Sequence, residues 1–202
     1  MKKSILFFTA VLMFTLTSVA DEPLKAGDPA ADFNLKNVEG KMISLSQYND
    51  AKGFIVVFYC NTCPVVHKYE QRVIDLHKEF SSKGFPVIAI NPNDKDVSPG
   101  DSYQEMQKLA GKKNYEFQYL YDESQEVARK YGATNTPHVY VLSGNGGNLK
   151  VEYVGAIDNN ADDASAADKH YVADAVNKLL KGESVAVTGT KAIGCTIKWK
   201  KV

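Results

Sequence analysis

The stretch FIVVFYCNTCP, residues 54–64, decides the fold of this 202-residue chain. Its first six residues are apolar, β-branched or aromatic without interruption, which is typical of a central strand covered on both faces. From Val66 to Phe80, apolar residues recur at spacings of three and four, which predicts a helix that begins at Pro64. Cys60 and Cys63 therefore lie where a buried strand gives way to a helix.

Strand and helix patterns alternate after this stretch, and a β-hairpin with its turn at Glu39-Gly40 precedes it. The sequence thus predicts one α/β sandwich domain, with a central mixed sheet flanked by helices and an N-terminal hairpin extension. The predicted hairpin strands are 33–35 and 42–45; the later strands are 87–90, 117–121, 138–142 and 149–154; the later helices are 102–109, 124–131 and 168–180.

The first twenty residues are typical of a cleaved secretory signal. Lys2 and Lys3 precede an uncharged apolar run that is short for a membrane span, and the small residues of Ser18-Val19-Ala20 suit a signal peptidase. We therefore expect a signal peptide over 1–20, a domain over 21–182 and a tail over 183–202. The mature protein is expected to be periplasmic or secreted, without stable membrane insertion.

The charge balance and the number of cysteines narrow the classes of function that fit this chain. The 24 basic and 24 acidic residues balance, so the chain has no overall basic field that would attract nucleic acid. Its three cysteines, Cys60, Cys63 and Cys195, are too few to staple a small secreted domain. Two close cysteines and a distant third indicate chemistry or intermolecular pairing at least as much as scaffolding.

Cysteines three residues apart at a strand–helix junction are close enough to form a disulfide. The helix start favours a thiolate through its free N–H groups and its partial positive charge. With Pro64 as the first helical residue, Cys63 is the cap and the sulfur on which the helix acts most directly, so we expect Cys63 to attack and Cys60 to be its partner. A purely structural disulfide and half of a zinc site are the alternatives, although the zinc site lacks a second cysteine pair.

Thr136-Pro137 lies at the entry to the strand 138–142. Proline is tolerated there because its missing N–H falls outside the hydrogen-bonded ladder. If the peptide bond is cis, Thr136 exposes backbone groups to which an extended substrate strand could bind, so Thr136 and Pro137 are candidate substrate-binding residues.

The stretch 55–64, together with YGATNTP at 131–137, resembles the thioredoxin superfamily. Within it, the sequences at 31–33, 122–128 and 194–200 resemble the peroxiredoxin-like branch of alkyl hydroperoxide reductase and thiol-specific antioxidant domains. The resemblance covers nearly the whole mature chain. It implies a thioredoxin-like fold, a cis Pro137 beside the redox pair, and either disulfide exchange or antioxidant peroxide reduction. The expected partners are protein disulfides or dithiols, or a thiol electron donor, and no cofactor or metal is expected.

The chain departs from its relatives in the placement of the second sulfur. Counted from Phe58, Cys63 takes the position of the attacking cysteine of thioredoxins, and Val66 takes that of its usual partner. In the peroxiredoxin pattern P-x-x-x-T-x-x-C, Val56 and Cys60 replace the proline and the threonine. The hydroxyl that orients peroxide is thus missing, whereas both alignments agree on Cys63.

Several roles stay open at this stage. Cys195 is either a resolving thiol, if the tail folds over the site, or an idle one. Two thiolates with His67 or His138 would suit Cu(I) in a copper-delivery protein of the same fold, which is the alternative to an enzyme. A redox-inert module that binds a partner at the Thr136 edge is the third possibility.

Overall fold

The strand at the centre of the molecule is Gly53–Phe58, and all six of its residues are buried, as the continuous apolar run predicts. The computed structural model describes residues 22–201. In that part of the chain the strands are β1 (Pro29–Ala30), β2 (Leu35–Asn37), β3 (Met42–Ile43), β4 (Gly53–Phe58), β5 (Val87–Asn91), β6 (Gln118–Tyr121), β7 (Asn135–Thr136), β8 (His138–Ser143), β9 (Leu149–Gly155) and β10 (Cys195–Thr196).

Eight of these strands form one mixed sheet in the order β1-β9-β8-β4-β5-β6-β2-β3. β4, β5 and β6 run parallel to one another, whereas β8 runs antiparallel to β4 and β2 runs antiparallel to β6. β10 pairs with β7 in a separate two-stranded ribbon. Because β4 and β5 are parallel neighbours, the loops that follow them lie at the same edge of the sheet.

The helices are α1 (Pro64–Phe80), α2 (Tyr103–Lys113), α3 (Glu126–Tyr131) and α4 (Tyr171–Leu180). Alternate residues of β4 point to opposite faces, as the period of a strand requires. Ile55 and Val57 pack in a core with α1, α2 and α4, and Phe54, Val56 and Phe58 pack in a second core with α3. The predicted sandwich, with helices flanking a mixed sheet, is confirmed.

Boundaries differ from the prediction where local hydrogen bonds compete with strand or helix. The second hairpin strand ends at Ile43, because Leu45–Gln47 forms a short 3-10 helix capped by Ser44 and Gln47. α3 begins at Glu126 rather than at 124, because Gln125 adopts a left-handed conformation with φ of 63°.

The predicted signal segment, 1–20, lies outside the described residues. None of the helices within 22–201 is long and apolar enough to cross a membrane. The C-terminal segment 183–201 runs back across the domain: Gly189 bridges to Val154 on β9, and Cys195–Thr196 pairs with β7.

Candidate redox site

Cys60 and Cys63 lie where the sequence placed them, between the end of β4 and the start of α1. Cys63 is the N-cap of α1, with an extended backbone, and Pro64 occupies the first turn. The proline ring fixes a helical φ, and its missing N–H is one of those that a helix start leaves without a partner. The free N–H groups of this first turn favour negative charge on a nearby sulfur.

The loop between the two cysteines is held by Asp101, a fully buried residue from the loop before α2. Its Oδ1 accepts hydrogen bonds from the backbone N–H groups of Asn61, at 2.7 Å, and Thr62, at 3.1 Å. Its Oδ2 accepts a bond from the Thr62 hydroxyl at 2.7 Å. A buried carboxylate with this many donors is well satisfied, so the loop has one defined conformation.

Cys60 is a free thiol and is buried. Burial raises its pKa, because the thiolate is poorly solvated there, and the negative charge of Asp101 raises it further. Hydrogen bonds from the Thr136 hydroxyl, whose Oγ1 lies 3.1 Å from the Cys60 sulfur, and from the N–H groups of Cys63 and Thr62 act in the opposite direction but are outweighed. Cys60 is therefore a neutral thiol at physiological pH.

Cys63 forms a disulfide with Cys195, which is 132 residues away in sequence. The two Cα atoms are 5.9 Å apart, within the usual range for a disulfide. The bonded pair thus differs from the adjacent pair that the C-x-x-C spacing favoured. Spacing along the chain cannot indicate that a tail residue returns to the same sulfur.

The Thr136–Pro137 peptide bond is cis, as the resemblance implied. Thr136 is buried, its carbonyl oxygen lies 3.2 Å from the Cys63 sulfur, and it pairs in register with Cys195. The backbone edge that the sequence assigned to a substrate strand is therefore covered by the chain's own tail.

Gly194 makes this close approach possible. A Cβ at this position would lie 2.2 Å from the carbonyl oxygen of Thr136, so only glycine fits. The Gly194 carbonyl accepts a hydrogen bond from the Asn135 side chain at 3.0 Å. These contacts place Cys195 directly over the cis-proline loop.

The two histidines considered at the sequence level do not converge on the sulfurs. The His67 ring hydrogen-bonds the carbonyl of Asn61 at 2.5 Å, so it supports the loop. His138 packs against Tyr140 on the α3 side of the sheet, and burial lowers its pKa to about 4. Within 22–201, no group of three His, Cys, Asp or Glu side chains is placed to hold a metal ion.

The sequence analysis missed Asp101 and the asparagines of the loop after β5. The signal available was positional: Asn91 ends a buried parallel strand and Asn93 follows it, and the carboxyl ends of neighbouring parallel strands share one edge of the sheet. Polar residues there lie close to the cysteines that follow β4.

Comparisons with known proteins show the family and the fold of the chain. The model of the AhpC/TSA family matches residues 26–154. A protein of Halalkalibacterium halodurans named thiol-disulfide oxidoreductase ResA is 26% identical over 155 residues, which cover 75% of this chain and 84% of that protein.

Two solved structures extend the comparison. An uncharacterized conserved protein from Geobacillus kaustophilus superposes with a TM-score of 0.80 and 34% identity, covering 88% of this chain and 93% of that one. Peroxidoxin BcpB from Mycobacterium tuberculosis gives a TM-score of 0.59 at 22% identity, covering 79% of this chain and 97% of that one. The second likeness is one of fold, and the thioredoxin-like architecture is thereby confirmed.

Proposed function

The chain belongs to the AhpC/TSA family, and on that premise we propose that it is a thiol–disulfide oxidoreductase whose attacking sulfur is Cys63. The observation that carries the proposal is the position of this residue. Cys63 caps α1 and is bonded to Cys195, a sulfur that the fold brings from the far end of the chain. A sulfur that can bond a distant cysteine and is favoured as a thiolate has the two properties that exchange requires.

The reaction begins with the reduced protein. The Cys63 thiolate attacks one sulfur of a substrate disulfide, that disulfide breaks, and the departing substrate sulfur takes up a proton. The resulting mixed disulfide is then attacked at the Cys63 sulfur by the thiolate of Cys195, which releases the second substrate thiol. The protein is left with the Cys63–Cys195 disulfide, and two electrons from a thiol donor return it to the starting state.

Cys60 is proposed as the alternative resolving sulfur. It lies three residues from Cys63 and its thiol is held neutral by burial and by Asp101. A neutral thiol attacks slowly, because the thiolate is the nucleophile. We therefore assign the faster resolution step to Cys195.

Protein or small-molecule disulfides suit the site better than peroxide does. The position of the threonine that orients peroxide in peroxiredoxins is taken by Cys60, whose thiol is a weaker hydrogen-bond donor. We expect slow oxidation of Cys63 by hydrogen peroxide and faster exchange with a disulfide, and stopped-flow oxidation of the reduced protein by each reagent compares the two.

Reduction of the insulin disulfides, with dithiothreitol as the electron donor, tests the proposal. We expect the wild-type protein to accelerate the reaction and Cys63→Ser to abolish the acceleration. Cys60→Ser should retain most of the rate. Wild-type protein without activity, or Cys63→Ser with full activity, would refute the assignment.

We propose that the chain acts outside the cytoplasm, after cleavage that leaves Asp21 as the first residue. The charged and apolar pattern of 1–20 supports this, and so does the disulfide, because disulfides persist in oxidising compartments. In a mature protein of this kind, residues 183–202 complete the site of the 21–182 domain, since they carry Cys195. The intact mass of protein recovered from a periplasmic extract, set against that from whole cells, tests both the cleavage and the location.

A further inference from the structure

We infer that Asn93 is a positioning residue that ties the Cys60–Cys63 loop to the strand carrying Cys195, and so selects Cys63–Cys195 over Cys60–Cys63 as the disulfide of the oxidised protein. This inference rests on the proposed function, because it concerns which sulfur resolves Cys63. It assigns a role to a loop residue that contacts none of the three sulfurs.

One end of the Asn93 side chain contacts the group that holds the cysteine loop. Its Nδ2 donates a hydrogen bond of 2.8 Å to Oδ2 of Asp101. The same carboxylate accepts the N–H groups of Asn61 and Thr62, as described above, and the hydroxyl of Ser98 at 2.6 Å. Asn93 is therefore coupled to the Cys60–Cys63 loop through one shared group, the carboxylate of Asp101.

The other end of the same side chain contacts the tail. Asn93 Oδ1 accepts the backbone N–H of Lys198 at 2.9 Å, three residues beyond Cys195. The carbonyl of Lys198 in turn accepts the N–H of Asp94 at 2.9 Å and the Gln125 side chain at 2.9 Å. The backbone of Lys198 is thus fixed on both its donor and its acceptor side.

The side chains that form these hydrogen bonds are buried, so the loss of any one bond is costly. Asn93 is 3% exposed and Asp101 is fully buried. The Asn93 backbone is itself held, because its N–H donates to the side chain of Asn91, and that side chain donates to the Asp101 carbonyl. A buried amide that loses one partner leaves a polar group without a hydrogen bond, so the arrangement is favourable only when the loop and tail are both in place.

The competing disulfide forms by internal exchange without any other reactant. The Cys60 thiol loses its proton and attacks the Cys63 sulfur, the bond between Cys63 and Cys195 breaks, and Cys195 leaves as a thiolate that takes up a proton. The ratio of the two disulfides measures how firmly Cys195 is held opposite Cys63. A tail freed at Lys198 lowers the local concentration of Cys195 at this sulfur, and the ratio shifts toward Cys60–Cys63.

The experiment compares this ratio in three variants of the full mature chain. Each protein is equilibrated in a glutathione redox buffer, quenched in acid, alkylated and digested, and the linked peptides are quantified by mass spectrometry. For Asn93→Ala we expect the ratio of Cys63–Cys195 to Cys60–Cys63 to fall about tenfold, the effect of losing one buried hydrogen bond. Gln107→Ala is the control, since it also removes a side-chain amide that hydrogen-bonds the backbone of another segment, here the carbonyl of Val38, which is not in the tail.

Gln125→Asn keeps the inference testable if Asn93→Ala does not fold. Asparagine tolerates the left-handed backbone of Gln125, but its shorter side chain cannot hold both Lys198 and Lys200. We expect a shift in the same direction as for Asn93→Ala. An unchanged ratio in folded Asn93→Ala, or in Gln125→Asn if only that variant folds, would overturn the inference.

Insulin reduction measured in parallel separates this inference from the proposed function. An unchanged ratio with wild-type activity intact refutes the role of Asn93 alone. A wild-type protein that does not reduce insulin refutes the proposed function instead, because there is then no mixed disulfide for Cys195 to resolve.

Discussion

At Cys63 the backbone leaves an extended conformation and enters a helix, and this change gives one sulfur the free N–H groups of the helix start. Cys60, three residues earlier, is buried and close to the negative charge of Asp101. Two sulfurs with nearly the same position in sequence thus lie in different electrostatic environments. At the scale of the residue, we therefore base the proposed roles of the two sulfurs on their electrostatic environments rather than on the C-x-x-C spacing.

In the fully reduced protein, iodoacetamide at pH 7 should alkylate Cys63 before Cys60. The reason is that the thiolate reacts and that burial raises the pKa of the Cys60 thiol. Peptide mapping over a time course measures the order. Alkylation of Cys60 at an equal or greater rate would contradict the assignment.

Asp101→Asn should lower the pKa of Cys60. The substitution removes a negative charge that disfavours the thiolate, while the side chain keeps one oxygen to accept the loop N–H groups. The pH dependence of Cys60 alkylation in a Cys63→Ser/Cys195→Ser background measures the shift. Asp96→Asn, at an exposed position on the loop that leads to Asp101, is the control and should leave the profile unchanged.

At the scale of the element, β10 is a two-residue strand that covers the edge of the cis-proline loop. Its position depends on backbone contacts so close that a side chain at Gly194 has no room. The tail is therefore a fixed part of the redox site, and a partner must reach Cys63 without pairing along β7.

Gly194→Ala should displace β10 and destabilise the reduced protein by about 1–3 kcal/mol, because the added Cβ meets the Thr136 carbonyl oxygen. Urea unfolding measures the loss, and mapping of the oxidised protein should show less Cys63–Cys195 disulfide. Gly189→Ala is the control in the same tail, since its Cβ would meet its nearest neighbour, the Val154 carbonyl, at an ordinary 3.6 Å. The same free energy of unfolding and the same amount of Cys63–Cys195 disulfide in both variants would refute the close packing of the tail.

The sequence predicts those elements whose apolar pattern repeats. β4, α1 and the hairpin turn at Gly40 follow from local periodicity and turn chemistry, and so does the cap at Cys63. β10 could not be predicted, because two residues carry no periodic signal and its partner β7 is distant in sequence, so the sequence left open whether Cys195 reaches the site. Asp101 was missed because three of the five hydrogen-bond donors to its side chain lie in the Cys60–Cys63 loop, which is distant from it in sequence.

At the scale of the whole molecule, buried polar groups make stability depend on pH. Burial lowers the pKa of His138 from 6.5 to about 4, so the folded protein keeps this ring neutral while the unfolded chain binds a proton. Between those two values the unfolded state holds the extra proton, and the free energy of unfolding falls as the pH is lowered.

We expect this histidine to cost the protein about 2 kcal/mol of stability between pH 7 and pH 5. Urea unfolding of the oxidised protein at both pH values, for wild type and for His138→Gln, isolates the contribution. The partly buried His77, whose pKa burial also lowers, is common to both proteins and cancels in the comparison. A pH dependence that is the same in the two proteins would show that His138 is not kept neutral.

Trapping of the mixed disulfide decides whether Cys63 is the sulfur that attacks a substrate disulfide. Three double variants, each retaining one cysteine, are mixed with oxidised glutathione, and intact mass is followed over time. We expect the variant that retains Cys63 to form the glutathione adduct far faster than those that retain Cys60 or Cys195. Equal rates, or a faster reaction at Cys60, would contradict it.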